Sequence, residues 1–164
     1  MIESKRLLLK KMTLSNADFI LQLMNDPEWE KFISSNKKTL QCAKDFITKA
    51  GTQSYEQHKF GYFLVLHKDQ QIPIGICGLL KRNYLQQPDL GFAFIPSFRK
   101  QGYAYEAAFA VIEYAINIHK IKTLQAITKK HNHKSIILLN KLGFHFKKNI
   151  ILPSSENIEL YEKI

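Results

Sequence analysis

Residues 89–115 read DLGFAFIPSFRKQGYAYEAAFAVIEYA, and the order of chemical types along this stretch decides the fold. Asp89 to Ile95 is apolar on both faces, which predicts a central strand, and Pro96 ends it because proline has no N–H to give to a ladder. Ala104, Ala107, Ala108, Val111, Ile112 and Ala115 then recur at spacings of three and four, which predicts a long helix with one buried stripe. Between the two lies Arg99-Lys100-Gln101-Gly102-Tyr103-Ala104. A helix start leaves four backbone N–H groups without intrahelical acceptors and gathers partial positive charge. Gly102, with small Ala104 two places on, lets a phosphate approach that backbone, and Arg99 and Lys100 add charge at the same spot. The residues themselves leave two readings open: an ordinary strand-to-helix turn or a diphosphate cradle.

Outward from this stretch, Tyr62 to Leu66 and Ile72 to Leu80 are apolar runs separated by polar residues, and they predict a hairpin. Arg6 to Leu9 suits a first strand. Ser15 with Asp18 is expected to open a helix whose stripe is Phe19, Ile20, Leu23 and Met24 and which Pro27 stops. Thr39 is expected to cap a second helix that Gly51 ends, with 51–59 as a polar loop. Thr123 to Thr128 predicts a strand, Asn132 to Leu142 a helix, and Phe144 to Ile151 and Asn157 to Tyr161 the closing strands. The order is β-α-α-β-β-β-α-β-α-β-β, an α/β (α+β) arrangement with a mixed, mostly antiparallel sheet and helices on both faces. Two strands joined by the long helix run parallel if they share the sheet.

Composition sets the outer limits. The 164 residues carry 24 Lys and Arg against 14 Asp and Glu, a formal charge of +10, and 45% are hydrophobic. That predicts one domain over 1–164 with a single core and excludes a disordered chain. No apolar run approaches the roughly 20 residues of a membrane span, and the N-terminus lacks a signal-peptide pattern, so a cytoplasmic protein is expected. Cys42 and Cys77 form no metal-ligand pattern, and each is expected in the core. The basic residues come in scattered pairs: Lys5-Arg6, Lys10-Lys11, Lys37-Lys38, Arg99-Lys100, Lys129-Lys130 and Lys147-Lys148. A surplus of this size favours polyanions of many kinds, but no arginine-rich segment or alternating aromatic-basic strand points to nucleic acid.

A second feature is Asn132-His133-Lys134-Ser135, which opens the helix after the Thr123–Thr128 strand. Asn132 suits an N-cap, and Ser135 falls on the first turn. Two helix starts, each following one of two parallel strands, face one cleft.

Together these residues resemble the GCN5-related N-acetyltransferase (GNAT) superfamily, and within it the RimJ/RimL-type branch that acetylates ribosomal-protein N-termini. Arg99, Gly102 and Ala104 match its acetyl-CoA signature. Ser4 to Leu9, Ile74 to Leu79, Gly102 to Ala107, and Asn132-His133-Lys134-Ser135 through Lys141-Leu142-Gly143-Phe144 are similar to four further motifs in order, over about residues 3 to 148. The resemblance implies a central parallel pair splayed around acetyl-CoA, with the pantetheine arm hydrogen-bonded along Phe92 to Phe94. It places the diphosphate on Arg99, Lys100, Gln101, Gly102, Tyr103 and Ala104, with Lys129, Lys130 and Lys134 lending charge, and Asn132 near the arm or the acetyl end. It further implies direct attack by a primary amine, a protein N-terminus or a small molecule, with no metal. The Phe94 N–H would polarise the thioester oxygen. The family's usual tyrosine acid falls on Leu139, so that role is vacant and Ser135 is put forward; Asp89 and Glu106 are candidate bases. Acceptor residues are expected within about 25–60. A monomer or homodimer fits, and the alternative is a catalytically silent basic module on ribosome or RNA.

Overall fold

A computed structural model describes residues 1–34 and 38–164, so Lys37 of the Lys37-Lys38 pair lies outside the described residues. The strands are β1 (Ile2–Glu3), β2 (Leu7–Lys11), β3 (Tyr62–His67), β4 (Ile72–Leu80), β5 (Asp89–Phe94), β6 (Leu124–Thr128), β7 (His145–Ile151) and β8 (Asn157–Lys163). They form one sheet in the order β1-β2-β3-β4-β5-β6-β8-β7, with β5 and β6 parallel and the other neighbours antiparallel. The helices are α1 (Ala17–Met24), α2 (Pro27–Phe32), α3 (Leu40–Phe46), α4 (Ser54–His58), α5 (Tyr103–Asn117) and α6 (His133–Lys141). The mixed sheet with one parallel pair, the β3–β4 hairpin and the long α5 are as the periodicity predicts.

The apolar residues divide between the two faces of the sheet rather than gathering in one core. Phe63, Val65, Ile74 and Leu79 pack with Ala107, Ala108, Val111 and Ile112 of α5 and with Leu139 and Phe144. Tyr62, Leu64 and Ile76 pack on the opposite side with Ile20 and Leu23 of α1, Trp29 of α2 and Ala43 of α3. Alternation along β3 sends successive side chains to opposite faces, and that builds two layers from one strand. Cys77 is buried as expected, whereas Cys42 is only partly buried, in the first turn of α3.

Three local expectations are corrected. The capping box at the first helical turn is Thr13 with Asn16, not Ser15 with Asp18: the Thr13 N–H donates to Asn16 Oδ1 at 2.9 Å. Pro27 does not merely stop α1 but opens α2 at its first position, where its missing N–H costs nothing, and Asp26 caps it by accepting from the Glu28 N–H at 3.0 Å. Thr39 does cap α3, but Gly51 ends nothing. The backbone continues through a π-helical stretch, Ile47–Gln53, into α4, and stops at Lys59 with φ +67°. The polar look of 51–59 misleads because Ser54 and Tyr55 are buried there, the Ser54 hydroxyl donating to Phe60 O at 2.7 Å.

Gly78 in β4 has a steric reason. A Cβ there would stand 2.3 Å from Gly61 O and 2.5 Å from Tyr62 Cα, both backbone atoms of the adjacent strand end. Gly78→Ala is expected to destabilise by about 3 kcal/mol, the upper end for overpacking because backbone must move, read as a lowered midpoint in urea unfolding with an unchanged slope.

Candidate functional site

The sheet opens where the β5–β6 parallel pair begins. Asp89 opposite Gln125 is the one register position β5 and β6 share, with the Gln125 N–H donating to Pro88 O at 2.9 Å, and beyond it the strands part. On the β4 side the Ile95 N–H donates to Ile74 O. Alternation from that bond sends the backbone groups of Ala93 and Gly91 toward β4, and those of Phe94, Phe92 and Leu90 toward the gap. The Phe94 carbonyl already accepts from Arg99 Nε at 2.8 Å. The Phe92 and Phe94 N–H groups therefore face a cleft of about 600 Å³ between β5 and β6.

Both helix starts border this cleft. Gly102 precedes α5 with φ +83°, a left-handed conformation that glycine adopts without penalty. The first intrahelical bond runs from the Glu106 N–H to Gly102 O at 3.0 Å, so the amides of residues 102–105 precede it. On the other lip Asn132 caps α6, its Oδ1 accepting the Ser135 N–H at 3.3 Å, and Asn132 and Ser135 both line the cleft.

Lys100, Gly102 and Ala104 line the cleft, as do Phe92, Phe94 and Arg99. Gln101 and Tyr103 do not present their side chains to it. Gln101 Nε2 donates to Ser97 O at 2.8 Å, and the Tyr103 hydroxyl meets His67 Nε2 at 3.1 Å beneath the Arg6 guanidinium. Three cations expected to serve phosphates have carboxylate partners. Arg99 pairs with Asp26 at 2.5 Å and Glu28 at 3.4 Å, Lys134 with Glu28, and Lys129 with Glu156 at 2.8 Å. Leu139, where the tyrosine acid would stand, is buried at 1% exposure.

The two candidate bases differ. Glu106 is fully engaged: Oε1 accepts from the Ser4 hydroxyl and the Arg6 N–H, each at 2.7 Å, and Oε2 from Arg6 Nε at 2.7 Å. Partial burial works to raise its pKa, but these hydrogen bonds outweigh it and hold the carboxyl below the ordinary value of 4.5. Glu106 is thus a strut that fixes β2 against the glycine loop; Arg6 Nη1 also donates to Gln101 O at 3.1 Å. Asp89 lines the cleft at 2% exposure, with Oδ2 on Arg82 Nε at 2.6 Å. Burial pushes its carboxyl up, against the opposing pull of Arg82.

Sequence reading passed over Tyr62 and Trp29, which look like core residues. Tyr62 reaches from β3 across Gly91, where an added Cβ would fall 1.7 Å from its hydroxyl oxygen, and both aromatic residues line the cleft. The signal was Gly91 itself: a glycine inside a central strand marks a close approach. Burial, and after it the Asp89 carboxylate, push the Tyr62 phenol well above its usual range, so it is protonated at neutral pH.

Residues 6–145 match the sequence model of the acetyltransferase (GNAT) domain family. The chain is 28% identical over 146 residues to the uncharacterised N-acetyltransferase p20 of Bacillus licheniformis, covering 86% of this chain and 80% of that protein. Its fold is similar to that of a GNAT-family acetyltransferase from Bacillus anthracis, with TM-score 0.84, 20% identity and coverage of 99% and 97%. It is also similar to RimL, the ribosomal L7/L12 α-N-protein acetyltransferase, in complex with coenzyme A, with TM-score 0.82, 13% identity and coverage of 98% and 95%. Among the described residues no helix is long and apolar enough to cross a membrane.

The Glu106 strut yields a pH-dependent test. A carboxylate with a lowered folded pKa adds stability above its unfolded value, near 4.5, and loses it as pH falls through the folded value. Glu106→Gln is therefore expected to cost about 1 kcal/mol at pH 7, the lower range for charged hydrogen bonds because Arg6 is 38% exposed. The difference from the parent protein should shrink in denaturant titrations taken progressively below pH 4.5.

Proposed function

The chain belongs to the GNAT acetyltransferase family, and from that premise we propose that residues 1–164 act as one domain that transfers acetyl from acetyl-CoA to a primary amine. The observation that carries this is the parted β5–β6 pair, which leaves the Phe92 and Phe94 N–H groups facing a cleft with a helix start on either lip. The pantetheine arm would complete the open edge of β5 as a strand does. The diphosphate would lie on the amides of residues 102–105, helped by Lys100. Arg99 then serves chiefly to hold the loop, since its guanidinium is committed to Phe94 O, Asp26 and Glu28. Asn132 Nδ2 is a donor for the arm, because only its Oδ1 is used by the cap.

Acetyl-CoA supplies the thioester. The unprotonated acceptor amine attacks its carbonyl carbon, a C–N bond forms, and the Phe94 N–H donates to the oxygen as charge develops there. The C–S bond then breaks, the nitrogen gives up a proton, and the thiolate leaves beside Ser135 at the start of α6. At pH 7 an α-amine near pKa 8 needs only about 1 kcal/mol to shed its proton and lysine about 4.6 kcal/mol, so an α-amine makes slight demand on a base. Asp89, a carboxylate of the cleft wall, would receive that proton.

Two variants test the assignment. Ser135→Ala should lower kcat by about 10²-fold, the lower end of what one hydrogen-bond donor to a developing anion contributes, with acetyl-CoA affinity unchanged; unaltered kcat removes Ser135 from the chemistry. Acetyl-CoA at 100 times its Kd should add about 2.7 kcal/mol of stability in thermal unfolding, and Gly102→Glu should abolish that protection. Retained protection contradicts a diphosphate seat at this loop.

A further inference from the structure

A side chamber of about 450 Å³ adjoins the cleft and shares Trp29, Tyr62, Arg82 and Phe92 with its wall. Its floor is aromatic: the rings of Trp29 and Phe46 meet edge to face at 5.9 Å, and those of Phe46 and Tyr62 lie 5.7 Å apart. Trp29 is only 6% exposed, and its Nε1 is closed off from solvent with no acceptor among the described residues.

The chamber's charge is one-sided. Lys38, Lys49, Lys81 and Arg82 line it, and among the described residues no Asp or Glu does. Arg82 is matched by Asp89. Among the described residues, none of the three lysines has a carboxylate partner: Lys38 Nζ donates to Ser34 Oγ at 2.8 Å and Lys81 Nζ to Gln86 O at 2.7 Å. In the cleft, by comparison, Arg99 and Lys134 are paired with acids, while Lys100 and Lys141 have no carboxylate partner among the described residues.

We propose that this chamber holds the acceptor, and that the acceptor is a small primary amine carrying a carboxylate or phosphate on an apolar or aromatic body. The proposal rests on the acetyltransferase reading above and narrows its substrate class. The aromatic floor takes the body, the rim lysines take the anion, and the amine is delivered past Phe92 to the cleft. The same positive field disfavours an ammonium ion and so lowers the pKa of the bound amine, which supplies the free base that attack requires. A polyamine, cationic throughout, is repelled by it.

Trp29 is the chain's single tryptophan, so its fluorescence reports occupancy of the chamber independently of turnover. With protein saturated in coenzyme A, L-phenylalanine would be titrated against L-phenylalaninamide, and phosphoethanolamine against ethanolamine; thiol release from acetyl-CoA would be followed with the same four amines. The two pairs separate carboxylate from phosphate recognition. In at least one pair the anionic member should half-saturate the fluorescence change at about one tenth the concentration of its neutral partner, with a matching ratio in KM where turnover occurs. Lys49→Gln combined with Lys81→Gln should reduce that preference to below about threefold while leaving acetyl-CoA heat protection intact. Equal or reversed preference in both pairs, or a preference that survives the double substitution, overturns the proposal. A fluorescence preference without thiol release would uphold the binding class and sink the transferase reading. Thiol release without anionic preference would do the reverse.

Discussion

The contact between β5 and β6 at a single position is the constraint on which the site depends. Gln125, 2% exposed, clamps that end of the pair from several sides: its N–H reaches Pro88 O, its side-chain oxygen accepts the Gln87 N–H at 3.1 Å, and its amide nitrogen donates to Glu162 at 2.9 Å. On its far side β6 pairs with β8 along its whole length. With one end fixed and both outer neighbours in place, the two strands can separate only toward their C-terminal ends, which are the ends where α5 and α6 begin. A strand edge inside a protein normally carries a cost of about 1–3 kcal/mol for each N–H or C=O left without a partner. An edge held open by such a clamp is therefore an invitation to a strand-like ligand, because binding satisfies groups that the fold leaves bare.

The short helix α2 gives that opening its electrostatic character. Asp26 and Glu28 stand at its start, and from there they reach Arg99 on the β5 lip and Lys134 on the α6 lip, while Lys129 Nζ donates to Lys31 O at its end. One turn of helix thereby ties both sides of the cleft. The net charge of +10 is consequently not a uniform field: Arg99 and Lys134 at the cleft are matched by these acids, while Lys100 and Lys141 there and Lys38, Lys49 and Lys81 at the side chamber have no carboxylate partner among the described residues. The resemblance implied phosphate recognition by Arg99 and Lys100 before α5, with Lys129, Lys130 and Lys134 lending charge beside α6. Local pairing changes that assignment, because a cation already sharing a carboxylate has less to offer an incoming anion.

How much of this was legible in the sequence depends on the range of the interaction. The central strand, the glycine at a helix start, the Asn132 cap and the β3–β4 hairpin are local, and each follows from residue type and spacing. What escaped was long-range or disguised. The Arg99–Asp26 pair joins residues 73 apart, and nothing near Arg99 announces it. Gly51 looked like a helix stop, but a π-helical turn absorbs it and buried Ser54 and Tyr55 carry the chain onward. Tyr62 and Trp29 read as core because aromatic residues in apolar runs usually are, and they are buried; only the neighbouring empty space distinguishes them. Period and propensity describe which face is buried, not where the packing stops short.

The vacancy at Leu139 is the clearest case where sequence and structure must be read together. Ser135 stands one helical turn earlier, at i−4, so the two share a face of α6, and both border the cleft. Serine is a far weaker acid than tyrosine and cannot replace it as a proton source on equal terms. The demand is smaller than it seems, however. A thiol of pKa near 8.5 lies only about 2 kcal/mol from full ionisation at pH 7, while a hydrogen bond to a charged group contributes about 1.5–3 kcal/mol and a helix N-terminus up to about 2 when partly buried. A hydroxyl on the first turn of α6 offers both at once. On the proposed reaction, Ser135 therefore acts by holding the departing thiolate as an anion, with protonation by water following. On that proposal a leucine suffices at the position where the family resemblance implies a tyrosine acid.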